Sequence, residues 1–155
     1  MVKVAIMLGG NLPETPNALK MAQKRLLDGG FMIEKCSKVM VSAAEDCVPG
    51  TPDFLDMALC GSWHGSAMEL LKLCQSIEIA LGRPAQHSSR ESRIIDLDII
   101  LFGSEVIKSE KLTVPHPRAA QREFVLRPLN EIAPEWLFPD RQKTVSELFA
   151  ALNKQ

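Results

Sequence analysis

The run Arg93-Ile94-Ile95-Asp96-Leu97-Asp98-Ile99-Ile100-Leu101-Phe102-Gly103 sets two carboxylates at alternating positions inside a stretch of β-branched and aliphatic residues. Successive side chains of a strand point to opposite faces. The spacing therefore predicts a strand with Asp96 and Asp98 on one face and Ile95, Leu97, Ile99 and Leu101 on the other. The aliphatic face belongs in a core. The acidic face is costly, because neighbouring carboxylates repel and lose hydration on partial burial unless cations or strong donors compensate them. Mg²⁺ fits such a pair: it is a hard ion, held by one or two carboxylates plus substrate phosphates. The spacing alone equally allows an edge strand with an acidic solvent face.

Punctuation along the chain divides the rest into a definite order of elements. Val2 to Leu8 reads as a buried strand ending at Gly9-Gly10-Asn11. Thr15-Pro16 reads as a cap followed by proline in the first helical position, and an apolar stripe through Leu19, Ala22, Leu26 and Leu27 runs to Gly29-Gly30. Phe31 to Val41 predicts a second strand, and Phe54 to Trp63 a third, separated by a loop rich in proline and glycine. Ser66-Ala67-Met68-Glu69 is a capping box, followed by Leu70, Leu71, Cys74, Ile77 and Leu81 at helical spacing up to Gly82. Strand, helix, strand, strand, helix, strand is the ferredoxin-like βαββαβ order, an α+β sandwich in which helices flank an antiparallel sheet. A C-terminal extension follows. In it Thr113 to Arg118 reads as a loop, and the capping box Thr144-Val145-Ser146-Glu147 opens a terminal helix to about Leu152.

A chain of 155 residues without a linker, repeat or low-complexity tract is expected to form one domain spanning 1–155. With 18 basic against 19 acidic residues there is no overall basic footprint, which argues against nucleic acid or an acidic membrane surface as partner. The apolar opening segment is too short for a spanning helix and lacks the form of a secretory signal, so a cytoplasmic protein is expected. Cys36, Cys47, Cys60 and Cys74 show neither CxxC spacing nor disulfide-scaffold density, and reduced thiols follow. Trp63, Trp136 and His64 read as packing or surface residues.

Basic residues gather around the carboxylate strand. Arg83, Arg90 and Arg93 precede it, and Lys111, His116, Arg118 and Arg122 follow. An acidic pair flanked by arginines suits a magnesium-bound polyphosphate, since guanidinium groups bind phosphate oxygens through paired donors. Taken singly, each arginine is better explained as a solvated loop charge; the set clustered about Asp96 and Asp98 favours the phosphate site.

With Gly82-Arg83 before the strand, Val114-Pro115-His116-Pro117-Arg118 after it, and the run from Phe124 to Pro134, the chain resembles the 6-hydroxymethyl-7,8-dihydropterin pyrophosphokinases of folate biosynthesis. The likeness is collinear from Gly9-Gly10-Asn11-Leu12 almost to the C-terminus. It implies a ferredoxin-like monomer that binds ATP with two Mg²⁺ ions and transfers the β,γ-pyrophosphoryl group to the hydroxymethyl oxygen of the pterin, releasing AMP. By the same resemblance, Asp96 and Asp98 are the magnesium ligands, and Arg83 and Arg93 stand with them at the catalytic positions along the phosphate chain. Leu71, Gln75, Ile99, Lys111, Thr113, His116 and Arg122 serve ATP, while Phe54, Asp56 and Phe124 serve the pterin.

The chain departs from the family pattern in the pterin pocket and the loops. Phe54-Leu55-Asp56 replaces the usual Tyr-Leu-Asn. A phenyl ring still offers a stacking face, but an ionised Asp can only accept hydrogen bonds where Asn also donates. Gly10 stands where Ser is common, Arg90 and Ser92 replace an aromatic residue and a proline, and Ala43-Ala44-Glu45-Asp46-Cys47 adds negative charge before Phe54. Two other readings therefore stand beside a pterin pyrophosphokinase: a diverged relative that binds Mg–ATP but uses another acceptor, and a non-catalytic ferredoxin-like binding module.

Overall fold

The first strand, β1 (Val2–Gly10), forms the middle of the molecule, buried on both faces from Val4 onward. The computed structural model describes residues 1–43, 49–82 and 93–153. After β1 come α1 (Thr15–Asp28), β2 (Met32–Cys36), β3 (Met40–Ser42), β4 (Phe54–Trp63), α2 (Ala67–Ala80) and β5 (Asp96–Phe102). The chain continues through β6 (Ile107–Lys108), β7 (Thr113–Val114), α3 (Glu123–Ile132), β8 (Leu137–Phe138), β9 (Lys143–Thr144) and α4 (Val145–Leu152).

The main sheet has the order β2-β4-β1-β5, with β3 also pairing to β4, and the pairings are antiparallel. This is the expected ferredoxin-like arrangement. Alternation along β1 sends Val4, Ile6 and Leu8 into one apolar cluster with α1 and α2, and Ala5 and Met7 into another with α3 and α4. Covering both faces explains why β1 reads as a continuous apolar run. Both capping boxes form as the sequence predicts: Ser66 Oγ accepts from the Glu69 amide at 3.1 Å, and Thr144 Oγ1 from the Glu147 amide at 3.1 Å.

The structure corrects several local expectations. The strand predicted from Phe31 to Val41 is two strands, because Ser37 takes over the ladder: its amide donates to Ala58 O at 2.8 Å and its hydroxyl accepts from Ala58 N at 2.9 Å. Thr15 is not a cap. It is fully buried as the first residue of α1, and its hydroxyl donates to Ile94 O at 2.7 Å, tying the helix start to the segment entering β5. Leu101 does not share the face of Leu97 and Ile99. The pairing of β5 with β1 shifts between Ala5 and Ile6, and this bulge turns Leu101 to the α3 and α4 side beside Ile100. Thr113 and Val114, expected in a loop, pair as β7 with β6.

Helix α3 and the β8–β9 hairpin go beyond the sequence reading, where the only element recognised after β5 was the terminal helix. Pro128 lies inside α3, and an interior proline ordinarily breaks a helix. Here Val125, Leu126, Leu129 and Ile132 bury one face in the second apolar cluster, and that burial overrides the local preference.

Candidate active site

Register across the adjacent strands β4, β1 and β5 assembles the site. Gly9 of β1 pairs with Asp56 on β4 and with Asp96 on β5, so Asp56, Gly9 and Asp96 form one row. The next row on the same face is Ala58, Met7 and Asp98. At ordinary strand spacing the two carboxylate-bearing backbones of the first row lie about 10 Å apart. The missing side chain between them matters: a Cβ on Gly9 would come within 2.7 Å of Asp56 Oδ1. Gly10 is constrained from the other side, since a Cβ there would meet Ile94 O at 2.2 Å.

All residues of the two rows except Ala58 line a cavity of 350 Å³. Asp96, Asp98, Arg93, His116 and Arg122 line it, as do Phe54, Asp56 and Phe124, so the structure brings together residues the sequence scatters over some seventy positions. Arg93, just before β5, donates to Asp96 Oδ2 at 2.9 Å, with its guanidinium 5.6 Å from the centre of the Phe54 ring. On the far wall the Arg122 guanidinium lies 5.3 Å from the centre of the Phe124 ring.

Asp56 is 7% exposed, and its carboxyl is pushed up from 3.8 to about 6 by loss of hydration, with Asp96 adding to the rise. Ser42 opposes the rise by donating its hydroxyl proton to Asp56 Oδ2 at 2.5 Å. His116 is held below its ordinary value by burial, then by the positive charges of Arg122 and Arg118. Its Nδ1 is buried without a hydrogen-bond partner and its amide donates to Ile100 O.

The remaining predicted residues do not line this cavity. Leu71 is packed against the first cluster from α2, Gln75 is exposed on α2, and Ile99 is 4% exposed within that cluster. Thr113 lies on β7 and Lys111 is exposed just before it. Both α2 and β7 contact β5, so this second set surrounds the same strand from its other side and edge. Arg83, Arg90, Ser92 and Cys47 lie outside the described residues.

Three contributors escaped the sequence reading. Asn11 is 5% exposed and clamps two chain segments: its Nδ2 donates to Pro52 O at 3.2 Å, and its Oδ1 accepts from the Arg93 amide at 2.8 Å. Glu78 on α2 accepts from the Leu97 amide at 2.8 Å, which satisfies an edge donor between the two aspartates. Ser42 reaches Asp56 only because β3 pairs with β4. Double glycine followed by Asn was the available signal for the first, while nothing local marks Glu78 or Ser42.

Asp96 and Asp98 present two carboxylates on one face, and among the described residues no cluster of three or more His, Cys, Asp or Glu could hold a metal. Two carboxylates suit Mg²⁺ shared with phosphate oxygens and water, and do not suit an ion that needs a full protein cage.

The pattern that defines the 7,8-dihydro-6-hydroxymethylpterin-pyrophosphokinases matches residues 5–134. The 2-amino-4-hydroxy-6-hydroxymethyldihydropteridine pyrophosphokinase of Synechocystis is 36% identical over 142 residues, covering 91% of this chain and 71% of that protein. The Haemophilus influenzae protein of the same name is 40% identical over 91 residues, covering 59% and 56%. Among solved structures, wild-type HPPK-DHPS of Plasmodium falciparum with pteroate superposes with a TM-score of 0.75 at 12% identity, covering 97% of this chain and 42% of that one. The chain thus spans about half the length of the latter two.

Proposed function

The chain belongs to the 7,8-dihydro-6-hydroxymethylpterin-pyrophosphokinase family, and from that premise we propose that it transfers pyrophosphate from ATP to the hydroxymethyl group of 6-hydroxymethyl-7,8-dihydropterin in folate biosynthesis. The observation that carries this reading is the meeting of an acidic pair, three arginines, a histidine and two phenyl rings around one cavity. Phosphoryl-type transfer asks little covalent chemistry of a protein, so positioning and charge neutralisation suffice.

Asp96 and Asp98 would hold Mg²⁺, two ions being expected. When bound, the metal neutralises polyphosphate charge and lowers the cost of deprotonating the acceptor hydroxyl. Arg93, Arg118 and Arg122 donate to phosphate oxygens, and His116 adds a ring N–H. Leu71, Gln75, Ile99, Lys111 and Thr113 form the nucleotide side around β5, and Arg83 joins the phosphate chain. Phe54 and Phe124 offer ring faces to a flat heterocycle, and Asp56 accepts from its N–H groups. The hydroxymethyl oxygen then forms its bond to the β-phosphorus while the bond from that phosphorus to the bridging oxygen of the α-phosphate breaks, and AMP leaves with that oxygen.

A second reading keeps Mg–ATP and changes the acceptor, and the acidic Asp56 favours it. One assay separates them: AMP release from ATP and Mg²⁺ with the hydroxymethyl dihydropterin, against a no-pterin control and Asp98→Ala. AMP that requires both the pterin and Asp98 supports the proposal. Absence of AMP from a protein that binds Mg–ATP overturns it in favour of another acceptor.

A further inference from the structure

The antiparallel pairing of β1 with β5 ends at Gly9 and Asp96, yet the two chain segments stay joined beyond it. Asn11 makes the join. Its amide donates to Arg93 O at 2.9 Å and its side-chain Oδ1 accepts from the Arg93 amide at 2.8 Å, so Arg93 is gripped at both backbone groups as in a ladder rung. The other end of the same carboxamide, Nδ2, donates to Pro52 O at 3.2 Å, two residues before Phe54. Neighbours tighten the grip. Thr15 Oγ1 donates to Ile94 O at 2.7 Å and accepts from the Leu12 amide at 3.1 Å, and Gly10 packs so closely that a Cβ there would meet Ile94 O. Asn11 is 5% exposed. A carboxamide accepts with one atom and donates with another, which suits it to join an amide to a carbonyl; a carboxylate cannot donate.

Resting on the function given above, we propose that Asn11 is a positioning residue for pyrophosphoryl transfer: its one carboxamide sets the placement of the arginine that meets the polyphosphate relative to the ring that faces the acceptor. Asn11 does not line the cavity, so it acts through the two residues that do. The Arg93 guanidinium lies 5.6 Å from the centre of the Phe54 ring and donates to Asp96 Oδ2 at 2.9 Å. Arg93 and Phe54 come from segments far apart in the sequence, and Asn11 bonds to the backbone of one and just ahead of the other. In-line transfer tolerates little error in relative placement, since a shift of about 1 Å costs on the order of 100-fold in rate. Without the carboxamide each substrate still meets its own residues, but the two halves of the site move independently. The loss therefore falls on kcat more than on the KM of either substrate.

The test is AMP release by the full chain with ATP, Mg²⁺ and the hydroxymethyl dihydropterin, expressed as kcat and KM per folded molecule, beside the NMR signal of the Arg93 guanidinium, which the Phe54 ring shifts. Asn11→Ala should lower kcat by on the order of 30-fold with KM for either substrate within about 3-fold, and by less than about 3-fold where Arg93 is already Ala. The Arg93 signal should move toward its ordinary position. Asn11→Asp keeps the acceptor for the Arg93 amide and should recover part of kcat. Thr15→Val, which releases Ile94 O beside Arg93, should lower kcat by about 3- to 10-fold with the same dependence on Arg93, and it carries the test if Asn11→Ala does not fold. Lost stability with kcat and the Arg93 signal unchanged, or an equal loss of kcat with and without Arg93, makes Asn11 a structural clamp and overturns the proposal while the function stands. A wild-type chain that binds Mg²⁺ and a non-hydrolysable ATP analogue but releases no pterin-dependent AMP overturns the function, and the positioning role with it.

Discussion

Replacing Asp56 with Asn in metal-free protein should alter stability by an amount that depends on pH in a definite direction. Burial holds the Asp56 carboxyl at about 6 in the folded protein against 3.8 for the free group. Below about pH 3.8 it is protonated whether or not the chain is folded, and the folded state bears no ionisation cost. Between 3.8 and about 6 the unfolded chain releases the proton while the folded one keeps it, so stability falls as pH rises. Above about 6 the full cost is present. That interval, at about 1.36 kcal/mol per pH unit, amounts to about 3 kcal/mol. Asn does not titrate and can still accept from the Ser42 hydroxyl, so the variant escapes this cost. In urea unfolding followed by the fluorescence of Trp63 and Trp136, with a chelator present, the variant should gain roughly 2 to 2.5 kcal/mol over the wild type between pH 4 and pH 7. Carboxylates remote from Asp56 feel the same surroundings in both proteins and cancel in the difference. A difference that stays flat across that range, or falls, would refute the claim that Asp56 is buried without adequate compensation.

Gly10→Ala forces a methyl group against Ile94 O at 2.2 Å, backbone that cannot turn aside, and should cost about 3 kcal/mol in urea unfolding. Asn11→Ala leaves the Arg93 amide and Pro52 carbonyl without their partner and should cost a similar amount, about 3 kcal/mol, whereas Asn11→Asp keeps the acceptor and loses less. Chelation of divalent ions should abolish AMP release, added Mg²⁺ should restore it, and restoration by monovalent salt alone would count against the roles of Asp96 and Asp98. Ser66→Ala removes the α2 cap and should cost about 1 kcal/mol while leaving AMP release per folded molecule unchanged, measured by paired unfolding and turnover assays.

Local signals in this chain were legible where one segment's own pattern decides the outcome. Apolar runs ending in glycine located β1 and α2, reciprocal Ser/Thr and Glu pairs located two helix starts, and alternation put Asp96 and Asp98 on one face of β5. Elements whose local preference opposes their fate were not legible. Pro128 argues against α3, yet the buried side chains of Val125, Leu126, Leu129 and Ile132 hold the helix together. Ser37 looks like any strand residue until its hydroxyl replaces a rung of the ladder with Ala58. Thr15 reads as a cap until Ile94 O arrives from a distant part of the chain.

The sequence by itself determined the βαββαβ order, the acidic pair and a nearby supply of arginines, because side-chain periodicity and turn chemistry act over a few residues. Only tertiary structure decided that Asp56 stands across Gly9 from Asp96, that Ser42 reaches Asp56, and that a bulge after Ile99 sends Leu101 to the other face. These depend on which strands pair and in what register. A one-residue slip would move every side chain of a strand to the opposite face, and register is settled by burial over the whole sheet, which no single segment encodes.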